Sequence, residues 1–585
     1  MPLLTTNKYG TDDLYVFDPT DPSAFLVAGV TYYATGDFSR AVTSSAANTE
    51  FVIAGTLYGR YIAFQAAGTG DTVINVLSTG VLSGDSRAIN LYTDQNATIL
   101  NDGLIEAAYS AAIYVAGASE GDFTLINSGT IRSGGFYALE TLYGGTSEII
   151  NTGTIVGDIL LHAANNTVDT HLGVMVGAIR GGIGNNFYTI AGTERIEASS
   201  VGYDAITSYG DYVLPQYAEQ LTLAGNARFG YGNAGDNVLV ASDFGSTLEG
   251  RAGDDGLNGG VGDDVLRGGA GDDDLSGGTG DNLLVGGNGS DSLSDGDGDS
   301  QLLGGAGDDV LSGGLGADVL NGGSGVDLVS YLQNDAAIVL DLGAQTVSGG
   351  DASLDKLISI ESVYGSAFND IMTGSNGSDG LLLGYYGDDK IYGLGGNDVL
   401  EGFTGADLLD GGVGLDTASY ANSGAGVSAS LVTNTGTAGD ALGDTFVSIE
   451  NLTGSGSADI LTGSDGANVL KGGAGGDTLT GGKGDDTISG DAGDDTLNGG
   501  ANVDTFLFAD VTDDAPGGWG SDTIVAFQNG VDKISFVGAS NVSGFASLSI
   551  SVSGTDTLIT VGDDVIRLTK FSAANLDATD FIFGV

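Results

Sequence analysis

Large apolar residues recur at every ninth position through long stretches of the chain. In "GGVGDDVLR" (259–267) and "GGAGDDDLS" (268–276) a leucine stands in the eighth place between small or polar residues, and "GGAGDDVLSGGLGADVLN" (304–321) continues the rule. An apolar residue between two polar ones is typical of a short strand with one buried side chain. The pattern predicts that successive repeats alternate between the two faces of a roll and stack a thin core of Leu257, Leu266, Leu275, Leu284 and Leu293.

Each repeat has the form G-G-x-G-x-D-x-U-x, where U is a large apolar residue. Eleven repeats occupy residues 232–330, six with one extra residue near Leu383 occupy 365–419, and six more occupy 454–507. The glycines supply left-handed backbone angles and let carbonyl groups face an ion, while the aspartate in the sixth place supplies the carboxylate oxygen that calcium prefers. The spacing predicts calcium ions between turns two repeats apart, as between Asp255 and Asp273.

The predicted metal ligands are the aspartates in the sixth place: Asp255, Asp264, Asp273, Asp291, Asp309, Asp318, Asp327, Asp370, Asp379, Asp389, Asp398, Asp407, Asp416, Asp459, Asp477, Asp486, Asp495 and Asp504. An amide or a hydroxyl replaces the carboxylate at Asn237, Ser246, Asn282, Ser300 and Asn468, where we expect weaker or empty sites. One ion for each pair would give at most about 17 ions.

The charge of the chain favours metal cations as partners. The 585 residues include 77 Asp and Glu but only 17 Lys and Arg, which gives a net charge of -60. Nucleic acids and anionic membranes recruit basic residues and would be repelled. No apolar run is long enough for a membrane span, and there is no cysteine for disulfides or thiolate metal sites. A disordered acidic linker is the alternative interpretation of the repeats, and it is the state we expect without calcium.

The repeats of all three blocks resemble those of the RTX family of secreted calcium-binding proteins, whose nonapeptides form parallel beta-rolls. This resemblance implies an all-β fold that calcium completes. Between the rolls, residues 331–364 and 420–453 align without a gap at an offset of 89, so that Tyr331 meets Tyr420 and Glu361 meets Glu450. We interpret each insert as β structure that caps one roll and starts the next; a plain spacer is the alternative.

A longer period precedes the rolls. The segments "NVLSTGVLS", "TILNDGLIE", "TLINSGTIR" and "EIINTGTIV" start at positions 75, 98, 124 and 148, with Asn101, Asn127 and Asn151 in the same place. This predicts a parallel beta-helix over 70–231 with stacked asparagines, similar to autotransporter passengers and filamentous haemagglutinins. Another all-β fold is the alternative. Residues 1–69 are aromatic and alternating, and we expect a β region that caps the helix or anchors the protein.

Residues 508–585 resemble the C-terminal domain of serralysin-type RTX proteins. The resemblance implies that a short apolar end after an acid is an uncleaved signal for type I secretion, here Asp580, Phe581, Ile582 and Phe583. The N-terminus lacks the basic start and apolar core of a secretory signal peptide, which agrees with this route. We therefore expect the type I secretion machinery of a Gram-negative bacterium as a partner, and an extracellular or cell-surface location.

Signatures of catalysis are weak. Serralysins need H-E-x-x-H, but His162 and His171 are nine apart and lack the glutamate between them. "GASEG" around Ser119 matches the sequence of a lipase nucleophile elbow, yet it lies among the coils of the predicted β-helix. Because alginate epimerases join a beta-helix to RTX rolls, a polysaccharide-acting enzyme is an alternative, with candidate side chains Tyr109, Tyr114, Glu120, Asp122, Tyr137, Glu140 and Tyr143. We predict no catalytic residues.

The composition and repeats favour a structural role. We expect calcium-dependent self-assembly into a surface layer, similar to RTX surface-layer proteins. A soluble calcium-dependent adhesin or matrix protein that binds a cell-surface glycan is the first alternative, and a polysaccharide-modifying epimerase or lyase is the second.

Overall fold

The computed structural model consists of short strands. It describes residues 40–45, 48–68, 70–93, 95–117, 121–142, 145–162, 165–509, 518–537, 542 and 544–584, together with the strands Leu3–Leu4, Lys8–Gly10, Val16–Phe17, Ser23–Leu26 and Thr31–Ala34. Within these residues the helical elements are all short 3-10 turns, at Gly350–Ala352, Gly439–Ala441, Phe545–Ser547, Ala573–Asn575 and Ala578–Asp580. The predicted all-β fold is confirmed. Contacts divide the chain into units 1–292 and 293–585, a boundary inside the predicted first roll.

The first unit begins as a parallel β-helix. Strands that share its first face are Ser23–Leu26, Thr49–Ile53, Thr72–Val76, Ala97–Asn101, Phe123–Asn127, Ser147–Asn151, Asn166–Asp169, Asn186–Ile190, Asp204–Ser208, Gln220–Leu223, Val238–Val240, Gly256–Asn258 and Asp274–Ser276. The other faces of the wide coils carry Thr31–Ala34, Arg40–Ser44, Thr56–Gly59, Ile62–Gly68, Val81–Gly84, Arg87–Thr93, Leu104–Ala107, Ile113–Ala116, Thr130–Leu142, Thr154–Leu160, Val174–Val176, Ala178–Arg180 and Arg195–Glu197. Alternate side chains of these strands point into one core, as in Ile74, Ile99 and Leu125, which are fully buried.

The coils shorten along the chain. In the wide part Thr72 pairs with Ala97, and Ala97 pairs with Phe123. Further on the partners lie closer in sequence, since Asn186 pairs with Asp204 and Val238 with Gly256. This shorter interval equals two nonapeptides, so the helix narrows gradually into a two-sided roll. The strands that form its second side in this unit are Tyr212–Val213, Phe229–Tyr231, Thr247–Ala252, Val265–Ala270 and Leu283–Asn288.

Asparagines stack inside the wide coils, as the sequence predicts. The side-chain Nδ2 of Asn101 donates to Oδ1 of Asn127 at 2.6 Å, and Nδ2 of Asn127 donates to Oδ1 of Asn151 at 2.7 Å. All three are buried. A second row follows at the start of the first-face strands, where Nδ2 of Asn166 donates to Asn186 at 2.8 Å. Each amide both donates and accepts, so these rows satisfy buried polar groups without an ion.

The second unit is a two-sided roll with parallel strands on both sides. One sheet contains Val310–Ser312, Leu328–Ser330, Ser362–Tyr364, Leu381–Tyr386, Val399–Thr404, Thr417–Ser419, Asn451–Thr453, Val469–Ala474, Thr487–Ala492, Thr505–Leu507, Lys533–Val537 and Phe581–Gly584. The other contains Gln301–Ala306, Val319–Ser324, Lys356–Ile358, Ile371–Thr373, Lys390–Tyr392, Leu408–Asp410, Thr445–Val447, Ile460–Thr462, Thr478–Lys483, Thr496–Ala501 and Ser521–Ile524. The strand Ser292–Ser294 contains the unit boundary. Of the five leucines predicted to form the roll core, four lie in the first unit and Leu293 lies in the second. All five are buried, at 2% exposure or less.

Each insert adds a hairpin while both sheets continue. In the first, Val339–Asp341 pairs antiparallel with Thr346–Ser348, and Lys356–Ile358 then pairs parallel with Val319–Ser324. The second insert repeats this with Ser428–Ser430 and Thr435–Ala438. The C-terminal region likewise adds an antiparallel meander of Ser549–Ser553, Asp556–Val561 and Asp564–Leu568. The inserts therefore contribute strands to the sheets of the roll.

Candidate metal centre

The predicted aspartate ligands form rows along the turns of the roll. All eighteen are buried, with exposed fractions of 5% or less. The backbone N–H of one aspartate donates to Oδ1 of the aspartate two repeats on, for example from Asp255 to Asp273 at 2.8 Å and from Asp477 to Asp495 at 2.7 Å. The glycine-rich turn thus places one carboxylate directly over the next, with the period that the sequence predicts.

The second carboxylate oxygen has no such partner in many turns. Within the described part of the chain, the Oδ2 atoms of these aspartates are buried and accept no hydrogen bond: Asp255, Asp273, Asp318, Asp327, Asp389, Asp398, Asp416, Asp477, Asp486 and Asp504. The first residue of the turn lies against this oxygen, and a β-carbon at Gly268 would overlap Oδ2 of Asp273. This close approach explains the invariant glycine in the first place of these turns.

The second residue of such a turn has a left-handed backbone. Glycine adopts it easily, as Gly269 does with φ of +127°. Other residues also adopt it here, with φ of +89° at Arg251, +82° at Tyr385 and +67° at Phe403. Because this conformation costs an L-residue about 1 to 2 kcal/mol, the surrounding turn must impose it. We call a turn open when its second residue is left-handed.

Six turns have a different, closed form, in which the second residue is serine or asparagine without a positive φ. In these closed turns the second residue bonds the side chain in the sixth place. The N–H of Ser366 donates to Oδ2 of Asp370 at 2.6 Å, and its Oγ donates to Oδ1 at 2.7 Å. The remaining pairs are Ser375 with Asp379, Ser455 with Asp459, Ser464 with Asn468, Asn233 with Asn237, and Ser242 with Ser246.

The closed turns occupy the same place in every roll. They are the first two turns of each block, one on each side, and every later turn with an aspartate in the sixth place is open. Three predicted ligands, Asp370, Asp379 and Asp459, lie in closed turns, where hydrogen bonds occupy their oxygens. The signal was present in the sequence as serine or asparagine in the second place.

Sequence reasoning missed the carboxylates that end each row. The N–H of Asp318 donates to Oδ1 of Asp355 at 2.9 Å, and the N–H of Asp327 donates to Oε2 of Glu361 at 3.0 Å. The second insert repeats the arrangement with Asp444 and Glu450, and the C-terminal region with Asp522 and Asp532. The alignment of the inserts at an offset of 89 contained this signal, because it places acid over acid at both positions.

Burial makes the ionised form of these aspartates unfavourable. It is the main cause that raises the pKa of Asp255 to about 7, with the carboxylate of Asp273 adding to it. Burial likewise raises the pKa of Asp389 to about 8, and Asp407 contributes. Stacked carboxylates with unbonded oxygens fit a divalent cation, which would neutralise both. Among the described residues, no three His, Asp or Glu side chains gather to hold a metal on their own.

Some of the candidate side chains of the wide coils have structural partners. The guanidinium of Arg87 lies 3.6 Å from the ring centroid of Tyr114, and Asp122 accepts from Oγ1 of Thr146 at 2.6 Å. Nδ1 of His162 lies 2.8 Å from the carbonyl oxygen of Thr141, whereas His171 contacts Asp169. Tyr109 is exposed. Ser119, Glu120 and Tyr143 lie outside the described residues.

The C-terminal strand completes the end of the roll. Phe581–Gly584 pairs parallel with Lys533–Val537, and the ring of Phe536 stacks on Phe583 at 6.0 Å. Asp580 is buried and accepts from the N–H of Gly530 at 3.1 Å. In the described residues no helix is long and apolar enough to cross a membrane.

Together these features define an all-β protein of the β-helix and β-roll class, with rows of buried carboxylates along its turns. The nonapeptide profile of the RTX calcium-binding repeat matches residues 231–266, 258–293, 294–329, 359–384, 383–418, 453–488 and 471–506. The chain carries RTX calcium-binding nonapeptide repeats, and the predicted resemblance of its repeats is confirmed.

Solved structures similar to the chain include a subunit of an epimerase and a lipase. The AlgE6R3 subunit of the Azotobacter vinelandii mannuronan C5-epimerase is 33% identical over 22% of this chain and 78% of its own, with a TM-score of 0.19. The extracellular lipase LipA of Serratia marcescens is 15% identical over 65% of this chain and 45% of its own, with a TM-score of 0.12. The chain therefore spans less than half of that lipase. No curated protein matches the chain.

Proposed function

We propose that calcium ions bind between open turns that lie two repeats apart on the same side of a roll. This binding would stabilise the folded roll. The observation that carries this proposal is the change from amide to carboxylate along one row. Nδ2 of Asn186 donates a hydrogen bond to the carboxylate of Asp204. An ionised aspartate in the place of Asn186 has no side-chain donor for this bond. A cation is the group that replaces the lost donor and offsets the stacked charges.

The proposed ligands are one carboxylate from each of two successive open turns, completed by backbone carbonyl oxygens, because calcium takes six to eight oxygen ligands. The row ends at Asp355, Glu361, Asp444, Glu450, Asp522 and Asp532 extend the ligand set beyond the nonapeptides. At tenfold excess of calcium over a dissociation constant of roughly 0.1 to 1 mM, each site would add about 1.4 kcal/mol to stability. A few sites together would decide whether a roll folds.

Calorimetric titration of the chelated full chain with calcium, followed by circular dichroism, tests this proposal. We expect a rise in β signal as calcium binds, with magnesium at the same concentration far less effective because it demands a smaller octahedral site. Equal folding in chelator and in calcium would contradict the proposal.

We further propose a structural role outside the cell, in a surface layer that assembles in calcium. RTX repeat proteins are typically secreted, and the net charge of -60 would oppose association of the rolls until divalent ions reduce it. The terminal strand, at which Asp580 and Phe581 are buried, is compatible with a type I signal, which would be read before the chain folds.

Electron microscopy of the full chain in about 5 mM calcium, a concentration above the expected site constants, tests the surface-layer role. Ordered sheets or tubes that disappear in chelator are the expected result. Dispersed rods in calcium would exclude self-assembly and favour the adhesin alternative.

A further inference from the structure

Two stretches of the second unit are structural copies of each other. Residues 295–364 and 384–453 align without a gap at the offset of 89. Both copies fold in the same way: the hydroxyl of Tyr331 donates to Asp355 at 3.2 Å, and the hydroxyl of Tyr420 donates to Asp444 at 2.8 Å. Corresponding positions can therefore be compared one by one, and each copy shows what the other lacks.

In the second copy, a buried glutamate fills the space beside the insert. Glu401 is 1% exposed, and its carboxylate accepts from Oγ of Ser419 at 3.1 Å and from the N–H and Nδ2 of Asn422, both at 3.2 Å. The same copy also contains three aromatic residues, Tyr385, Tyr386 and Phe403, whose rings contact one another. The ring of Phe403 lies 5.5 Å from Tyr385 and 5.9 Å from Tyr386.

In the first copy, small residues stand at those places and leave a cavity. Ser312 replaces the glutamate, while Gly296, Asp297 and Gly314 replace the three aromatic residues. The resulting open cavity has a volume of about 240 Å³. Its lining includes Ser312, Ser330, Gln333, Asp297, Asp351 and Leu315. Ser330 and Gln333 correspond to the two residues that hold the glutamate in the second copy.

We propose that this cavity binds one neutral sugar ring. Sugar hydroxyls both donate and accept, and the lining offers carboxylate acceptors at Asp297 and Asp351 beside hydroxyl and amide groups at Ser330 and Gln333. An apolar ligand would leave these groups without partners. The cavity is the space that the second copy fills with its own rings and its own polar group, so a ligand of that size and mixed polarity suits it.

The local charge selects against an anionic ligand. The two aspartates of the lining and the net charge of -60 repel a carboxylate. The second copy shows the same effect on a carboxyl group. Burial is the main cause that raises the pKa of Glu401, and the charge of Asp440, the counterpart of Asp351, raises it further. A neutral ring avoids this cost. The inference concerns a site apart from the open turns and does not rest on the proposed surface-layer role.

Saturation-transfer NMR on the calcium-loaded full chain tests the proposal. The probes are the methyl glycosides of glucose, galactose, mannose and N-acetylglucosamine, with glucuronate as the anionic counterpart. We expect one or more neutral glycosides to bind with a dissociation constant on the order of 1 mM, as suits so few atoms. Ser312→Glu places the group from the second copy into the cavity and should weaken binding more than tenfold. Ser348→Glu, at an exposed site outside the cavity, is the matched control and should change nothing.

The reciprocal variant guards against simple misfolding. Glu401→Ser with Tyr385→Gly and Phe403→Gly should open a second cavity and raise the number of bound sugars from one to two. Equal binding to wild type and Ser312→Glu, or no binding by any neutral glycoside, would overturn the proposal. Tighter binding of glucuronate would overturn its neutral class.

Discussion

Asn186 donates to the carboxylate of Asp204 twice, through its backbone N–H at 3.1 Å and through its side-chain Nδ2 at 2.7 Å. Asp204 is the first carboxylate of a row of amides that runs down the β-helix. Further along, the backbone N–H of Asn237 donates to Oδ1 of Asp255 at 2.7 Å, while its Nδ2 donates to the carbonyl oxygen of Ala218 at 3.3 Å. The same stacked arrangement therefore occurs in both parts of the first unit: amides satisfy their own hydrogen bonds, and for the carboxylates of the roll we propose that a cation completes it.

The amide row should stabilise the helix at any calcium concentration. Asn127→Ala leaves the buried Nδ2 of Asn101 without its acceptor, and we expect a loss of about 1 to 3 kcal/mol. Thermal unfolding in chelator and in calcium measures it, and both should show the same loss. Thr98→Ala on a neighbouring strand is the control. A loss confined to calcium would contradict a calcium-independent row.

Closed turns should remain folded when calcium is removed. Hydrogen exchange in chelator should show protected amides around Ser366, Ser375 and Ser455 and exposed amides in the open turns that follow. Ser455→Gly removes the hydroxyl bonds to Asp459 while keeping the backbone N–H, and should weaken that protection. Ser457→Gly adds the same backbone freedom in the same turn without removing those bonds. Uniform exchange across both kinds of turn would show that the closed form has no independent stability.

The row end at Asp522 should have opposite effects with and without calcium. Burial and the neighbouring Asp495 raise the pKa of Asp522 to about 9. Asp522→Asn removes this like-charge pair, so the chelated protein should gain stability, while the number of bound calcium ions should fall by one. Asp494→Asn, an exposed neighbour, is the matched control and should do neither. Loss of stability in both conditions would indicate that Asp522 acts only through packing.

Acid should partly replace calcium. The folded-state pKa values of Asp255 and Asp477 are about 7, above the ordinary aspartate value, so the chelated folded state binds protons more tightly than the unfolded chain. Stability in chelator therefore falls as pH rises from about 4 to about 7, by at most about 1.4 kcal/mol per pKa unit and group. Denaturant titrations in chelator at pH 5 and pH 7.5 measure this difference. A chelated protein that is more stable at pH 7.5 would contradict it.

The sequence predicted much of this architecture because the chemistry repeats at a fixed spacing. Leu266, Leu284 and the sixth-place aspartates follow from the nonapeptide, and the stack of Asn101 and Asn127 follows from the longer period. The row ends could not be found in this way, since Asp355 follows Asp318 at 37 residues and Glu361 follows Asp327 at 34. Only the folded hairpin between them brings those acids into line. The gradual shortening of the coils was also missed, because the spacing between equivalent residues changes along the chain and no single period describes it.

The coil of two repeats also determines which changes of length the protein tolerates. Removal of residues 472–489, two repeats, would shorten the third roll by one coil, about 4.8 Å along its axis, and every later strand would keep its side. Removal of 472–480 alone would carry the meander of Ser549–Ser553, Asp556–Val561 and Asp564–Leu568 to the opposite face of the roll. Such a roll therefore tolerates the gain or loss of repeats in pairs. The gain or loss of a single repeat would move every later strand to the opposite side of the roll.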